Sequence, residues 1–291
     1  MLADSVLSEF YRLMRNRMAV FWSVLFVPLL FVAGGIVFHL VTKSRMEEMT
    51  GDLSATGIAA TVQAKAAEDL GQDLLKIAGI TANGAILVFM LIGASTLYAG
   101  DYRWETWRLT SARNSRINLI LGKVGVFKIL TLIAIAVFIV AGLIFAISGA
   151  LINGTGFAFT FDGADAGSFA LTLLLSYIRI IQYAMIALLA AVMTRSLLAA
   201  LFVPVVLGFA QTLLGGPGLA LLGWEPTGWP AQLLLPGLAF DTLKAVVGPD
   251  GAPAGMPDGM VIKALVSLAL WTLAPLAGAI AWFNRQDLSK E

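Results

Sequence analysis

The stretch Tyr98–Lys123, YAGDYRWETWRLTSARNSRINLILGK, holds five basic residues, two acids and two tryptophans. Uncharged runs of 24 residues, Ile77–Gly100, and 33 residues, Ile129–Phe161, lie on either side of it. A dense polar hinge between two such runs reads as the connection between two membrane-spanning helices, because about 20 apolar residues cross the hydrocarbon as a helix.

Three more uncharged runs follow the same rule: Met18–Thr42 with 25 residues, Ser196–Trp224 with 29 and Ala264–Asn284 with 21. A sixth segment, 168–194, is long enough but is interrupted by Arg179. Composition agrees. Of 291 residues, 59% are hydrophobic and 13% charged, with mean hydropathy +0.87, against roughly 25% charged in a soluble domain. The expected fold class is therefore all-α, a polytopic membrane protein forming one domain over 1–291. Its spans fall near 18–42, 78–100, 118–150, 168–194, 196–216 and 261–284. The first run follows a 17-residue polar lead without a clear small-residue cleavage site, so it reads as a span rather than a signal peptide.

Six spans put both chain ends on one side. Eleven Lys and Arg residues lie there (Arg12, Arg15, Arg17, Arg103, Arg108, Arg113, Arg116, Lys123, Arg195, Arg285 and Lys290), against six on the other, spread over longer loops. Basic residues near span ends mark the cytoplasmic face. Both termini and the opening stretch are expected in the cytoplasm.

Residues 2–17 place Leu2, Val6, Phe10, Leu13 and Met14 on one helical face, which predicts a helix lying at the membrane interface. The 43–76 loop is long and external, and its alanine-rich part has helical spacing at Val62, Ala66, Leu70 and Leu74. Pro217, Pro226, Pro230 and Pro236 break the apolar region after the fifth span into pieces too short to cross. Those pieces read as short re-entrant helices between spans five and six, or as helices folded against the bundle.

No Walker A, G-x-G-x-x-G or H-E-x-x-H pattern is present. The chain has no cysteine, which excludes disulfides, thiolate metal sites and cysteine nucleophiles. Net charge of +1 gives no reason to expect a nucleic-acid partner. The lone His39 reads as an interface residue, and Asn153-Gly154-Thr155 is assigned no role. No catalytic or metal-ligating residue emerges. Lys128 reads as snorkelling to the cytoplasmic surface. Arg179 stands inside a span, where an arginine is costly and faces protein, water or a counter-charge. Tyr177, Gln182 and Tyr183 are its candidate partners in a polar patch or pathway.

A chain with no engine of its own and a conspicuous cytoplasmic hinge resembles the membrane (permease) subunit of an ABC-2 type ATP-binding-cassette exporter. In that family an acid after the second span precedes a Gly-Thr pair, a Ser-Arg pair and a Gly-Lys pair. Asp101, Thr106, Ser115-Arg116 and Gly122-Lys123 stand at these places. The ending AWFNRQDL, with Phe283, Arg285 and Asp287, and the opening SEFYRLMRNR are similar to the family's ends. Glu105 replaces the usual glycine, and ARN stands where a proline often precedes Ser-Arg.

The resemblance implies a coupling helix over 101–116 that meets a separate ATP-binding subunit, with Asp101, Arg103, Trp104, Glu105, Trp107, Arg108 and Arg116 as its contacts. It implies a translocation path shared with a second copy or a related permease, within a bacterial inner membrane and its lipids. It also implies that ATP and Mg are bound by the partner, with no cofactor on this chain. A secondary transporter and a membrane scaffold without transport activity are the alternative readings. The first usually carries titratable groups at mid-membrane.

Overall fold

The computed structural model describes residues 2–55, 67–103 and 115–286, with side chains at 49–55 and 103 outside that description. Six of its helices are long and apolar enough to cross a membrane, and the chain is an all-α, multi-pass membrane protein. The N-terminal helix α1 (Leu2–Arg15) ends at Asn16, whose side-chain oxygen accepts the Ala19 amide and starts the next helix. The first span is one rod: α2 (Arg17–Val20), a π-helical turn at Phe21–Leu25, and α3 (Phe26–Ala55). The other spans are α5 (Gly84–Arg103), α6 (Arg116–Asn153), α7 (Gly163–Thr194), α8 (Leu197–Gly215) and α12 (Met260–Arg285).

Both boundaries of the second span differ from the sequence reading. The uncharged run from Ile77 is broken, because helix α4 (Leu70–Ile80) ends there and α5 begins only at Gly84. Thr81 donates its hydroxyl to Ile77 O, and the Asn83 side chain accepts the Ile86 amide. Asparagine is a preferred helix N-cap, so Asn83 restarts the chain as a new helix. At its other end α5 continues past Gly100 to Arg103, which draws Asp101 into the helix.

α7 is central, packing on α5, α6, α8 and α12. The first span and α8 expose most of their apolar surface. At about 1.5 Å per residue, the 38 residues of α6 outrun a hydrocarbon core of about 30 Å. Its far end, away from the chain termini, carries α4. Gly142 lets α4 approach: a Cβ there would meet Ile77 side-chain carbons at 2.6–2.7 Å.

At the same end β1 (Glu68–Asp69) pairs in parallel with β2 (Phe157–Ala158), Glu68 opposite Phe157. Asp69 holds this corner together. Its carboxylate accepts the Gly71 and Gln72 amides at 3.0 and 3.3 Å, and the amide and hydroxyl of Thr160. The hydroxyl bond to Thr160, with the amide bonds, holds the Asp69 carboxyl below its ordinary range. A lowered folded-state pKa gives stabilisation that is present above the ordinary aspartate value, about 3.9, and is lost as pH falls through the lower folded value. Asp69→Ala should therefore speed amide exchange at Gly71, Gln72 and Thr160 at neutral pH. Unchanged exchange would remove Asp69 as the clamp.

Three short helices follow α8: α9 (Pro217–Leu222), α10 (Trp229–Leu234) and α11 (Pro236–Val247), each with proline in its first turn. They fold against the bundle. Gln232 Nε2 donates to Pro226 O and to the Thr242 hydroxyl. Lys263 and Trp271 of α12 donate to Thr227 O and Leu233 O. These side chains satisfy the carbonyls that the helix breaks leave open, as buried irregular backbone requires.

Candidate functional site

Two polar centres interrupt the apolar bundle. The first lies at the end that carries the chain termini. Asp101, in the last turn of α5, and Lys123, in the second turn of α6, are each 1% exposed. Lys123 Nζ lies 2.6 Å from Asp101 Oδ2 and 3.3 Å from Glu9 Oε2, and donates to Leu97 O at 2.7 Å. Arg12 bridges the same two acids, at 2.6 Å to Asp101 Oδ1 and 3.0 Å to Glu9 Oε1. Burial works against the Arg12 charge, but Asp101 and Glu9 outweigh it and hold the guanidinium above its ordinary pKa. Two acids and two bases neutralise one another, which is what allows charges to be buried at all.

This quartet decides how α1 lies. The sequence reading put Leu2, Val6, Phe10, Leu13 and Met14 on one helical face, suited to the membrane interface. The residues of α1 that are fully covered are Ser5, Glu9 and Leu13, while Leu2, Leu7, Tyr11 and Met14 are exposed. Val6 and Phe10 pack partly against the core. The helix turns Glu9 inward because Lys123 sits there. Gly122 and Gly125 give it room: Ser5 Cβ lies 3.0 Å from where a Gly122 Cβ would stand, and Val6 Cγ2 the same distance from one at Gly125.

Arg116 anchors the other side. Ser115 caps α6 by accepting the Asn118 amide. The Arg116 guanidinium then donates to the carbonyls of Phe283, Asn284 and Gln286 at 3.0, 3.1 and 2.7 Å and lies over the Phe283 ring. It thereby satisfies the open carbonyls at the end of α12, which a cation complements well. Gln286 also bonds Tyr102 and Val192 O. Both flanks of 104–114 are therefore pinned within this chain, Asp101 to α1 and α6, and Arg116 to α12. Trp104, Glu105, Trp107 and Arg108, with the Arg103 side chain, lie outside the described residues. Lys128 is exposed on α6.

The second centre is a cavity of about 650 Å³ between α5, α7, α8 and α11. Arg179 is 7% exposed on its wall. It donates to Gln182 Oε1 at 2.8 Å and to the Tyr183 hydroxyl at 3.2 Å, and its guanidinium stacks over the Tyr183 and Phe240 rings. Gln182 and Tyr183 are thus brought to Arg179 as its spacing predicts. Tyr177 is not: two residues away on the helix, it packs partly buried against the main core. Gln211 on α8 and Asp241 on α11 line the same cavity. They were missed because no local spacing links them to Arg179. Only the fold of α9–α11 back onto α7 brings them near.

The chain matches no protein-family model, and neither a curated protein nor a solved structure matches it significantly.

Proposed function

We propose that this chain is the membrane-spanning permease subunit of an ATP-driven exporter of the ABC-2 type. In this reading 101–116 couples to a separate ATP-binding subunit, which binds the ATP and Mg. Both termini lie in the cytoplasm of a bacterial inner membrane, with α1 along its surface. A second copy or a related permease completes the translocation path, and the exposed apolar faces of the first span and α8 suit such a neighbour or lipid. The short helices α9–α11 dip into the outer leaflet.

One observation carries this reading: the basic, tryptophan-bearing segment 104–114 is mounted at both flanks on polar clamps, buried at Asp101 and half-buried at Arg116, that reach α1, α5, α6 and α12. A segment that only linked two spans needs no such mounting. A segment that receives force from a soluble subunit does, because an unanchored loop would absorb the displacement.

The deciding experiment is copurification from native membranes. A stoichiometric soluble subunit carrying a Walker A motif is expected, whereas its absence would favour a scaffold. With that subunit in hand, Trp104→Ala with Glu105→Lys should weaken association, or leave hydrolysis running without transport. Trp anchors and charge-assisted contacts dominate interfaces of this kind. Unchanged transport would return the segment to an ordinary basic loop.

Sidedness has its own test, made simple because the chain lacks cysteine. An impermeant thiol reagent applied to intact cells should label Ala55→Cys and Ala252→Cys. It should miss Leu7→Cys, Ala112→Cys and Ser289→Cys. Labelling of Ala112→Cys from outside would end the coupling reading.

A further inference from the structure

The Arg179 cavity is built like a ligand site. Arg179 is buried, yet no carboxylate lies within ion-pair distance of it among the described residues, and its hydrogen bonds to Gln182 and Tyr183 leave the rest of its five N–H donors open. The Tyr183 hydroxyl accepts from Arg179, so its own proton is available. Across the cavity Gln211 is 6% exposed, and its Oε1 has no hydrogen-bond partner. Gln211 and Arg179 flank Gly237 of α11: a Cβ there would stand 3.3 Å from Arg179 Nη2 and 3.5 Å from Gln211 Oε1. Open donors and an orphaned buried acceptor converge on one small space. Such groups are costly unless something pairs with them.

Much of the remaining wall is apolar. Leu87, Val88 and Leu91 of α5 face Val205 and Phe209 of α8. It runs outward, since Leu91 is 2% exposed while Val88 and Phe209 are among the exposed hydrophobics. A polar floor with an apolar exit between two spans fits a molecule with a charged head and a chain. The cavity volume lies in the range that takes a ligand of drug size, roughly 300–1,000 Å³.

We infer that this cavity binds an amphiphile whose head carries an anionic oxygen beside an O–H donor, as the monoanion of a phosphate monoester does below its second pKa of about 6. The anionic oxygens meet Arg179 and the Tyr183 hydroxyl, the O–H donates to Gln211 Oε1, and the chain leaves between α5 and α8. Arg179 lies about 24 Å along α7 from Gly163, at 1.5 Å per residue. A head drawn there has left the level of the bulk headgroups. Asp241 lines the same cavity on its exposed side and acts on Arg179 through its charge, without a direct ion-pair contact. Its charge competes with the anion for Arg179.

The test uses the purified full chain in nonionic detergent without any ATPase, so its outcome is separate from the exporter reading. At about pH 5, where the phosphate monoester keeps one proton, dodecyl phosphate should bind at one saturable site. Arg179→Gln should weaken binding about tenfold or more, the usual scale for a lost charge-assisted bond. Val88→Trp, which fills the exit, and Gln211→Leu should weaken it with Arg179 intact, so the result holds even if Arg179→Gln does not fold. Asp241→Asn should bind as well as the parent or better. Dodecanol and inorganic phosphate should compete poorly. Equal binding by Arg179→Gln, or by Val88→Trp and Gln211→Leu together, would overturn the site. Equal competition by dodecanol would reduce it to a greasy groove, and equal competition by inorganic phosphate would make it a free-anion site. Loss of binding in Asp241→Asn would point to a cationic head instead. Each of these results refutes the inference.

Discussion

Lys123→Met is expected to lose about 3–5 kcal/mol of stability, the usual result of removing one partner from a buried ion pair. The size follows from what is left behind. Asp101 and Glu9 stay buried and lose one of the two cations that bridge them, and Leu97 O loses its side-chain donor. Methionine fills much of the volume, so the loss reflects charge rather than a cavity. Adding Asp101→Asn should recover part of it. The double variant should be more stable than the sum of the single changes predicts, by about 0.5–3 kcal/mol, the coupling that residues of one network show. Thermal unfolding of the purified protein in detergent gives the comparison. Lys76→Ala is the contrast. Lys76 also pairs with an aspartate, Asp73 at 2.8 Å, but its side chain is 74% exposed, so its loss should stay within about 1 kcal/mol. If Lys123→Met and Lys76→Ala behave alike, the quartet is not the clamp described above.

The same quartet shows where reading the chain without its fold succeeds and fails. The six spans are legible because twenty apolar residues in a row have one physical use. The restart of α5 at Asn83 was hidden, since a neutral capping residue does not lower hydropathy. Asp101 and Lys123 stand out as residues, but the loop between them invites a reading in which Asp101 faces a partner. Glu9 is the missing signal, an acid in line with Ser5 and Leu13 on the covered stripe of α1. Its pairing spans more than a hundred residues of sequence, and no periodicity within α1 reports it. Arg179 illustrates the same limit. Its neighbours one turn away are found from helical spacing, whereas Gln211 and Asp241 depend on how proline-broken helices return to the bundle.

Gly122→Leu should release α1 from the bundle, raising amide exchange across residues 2–15 by about fivefold to a hundredfold for the roughly 1–3 kcal/mol that overpacking costs. Glycine at 122 is a requirement of close approach. A Cβ there would collide with the Ser5 hydroxyl and come within 3.0 Å of Ser5 Cβ and 3.3 Å of its backbone carbonyl carbon. A hydroxyl can rotate away, but backbone cannot move without the helix, and α1 carries Glu9 and Arg12 with it. Exchange by mass spectrometry should rise in α1 and much less in α7. Gly34→Leu is the control, because a Cβ at Gly34 meets nothing within 4 Å. Gly122→Ala should have a smaller effect, and Ser5→Gly added to it should restore protection by removing the two nearest obstructing atoms. If Gly122→Leu leaves α1 protected, or Ser5→Gly fails to rescue Gly122→Ala, then α1 is held by its partly buried Val6 and Phe10. In that case the charged stripe does not set its position.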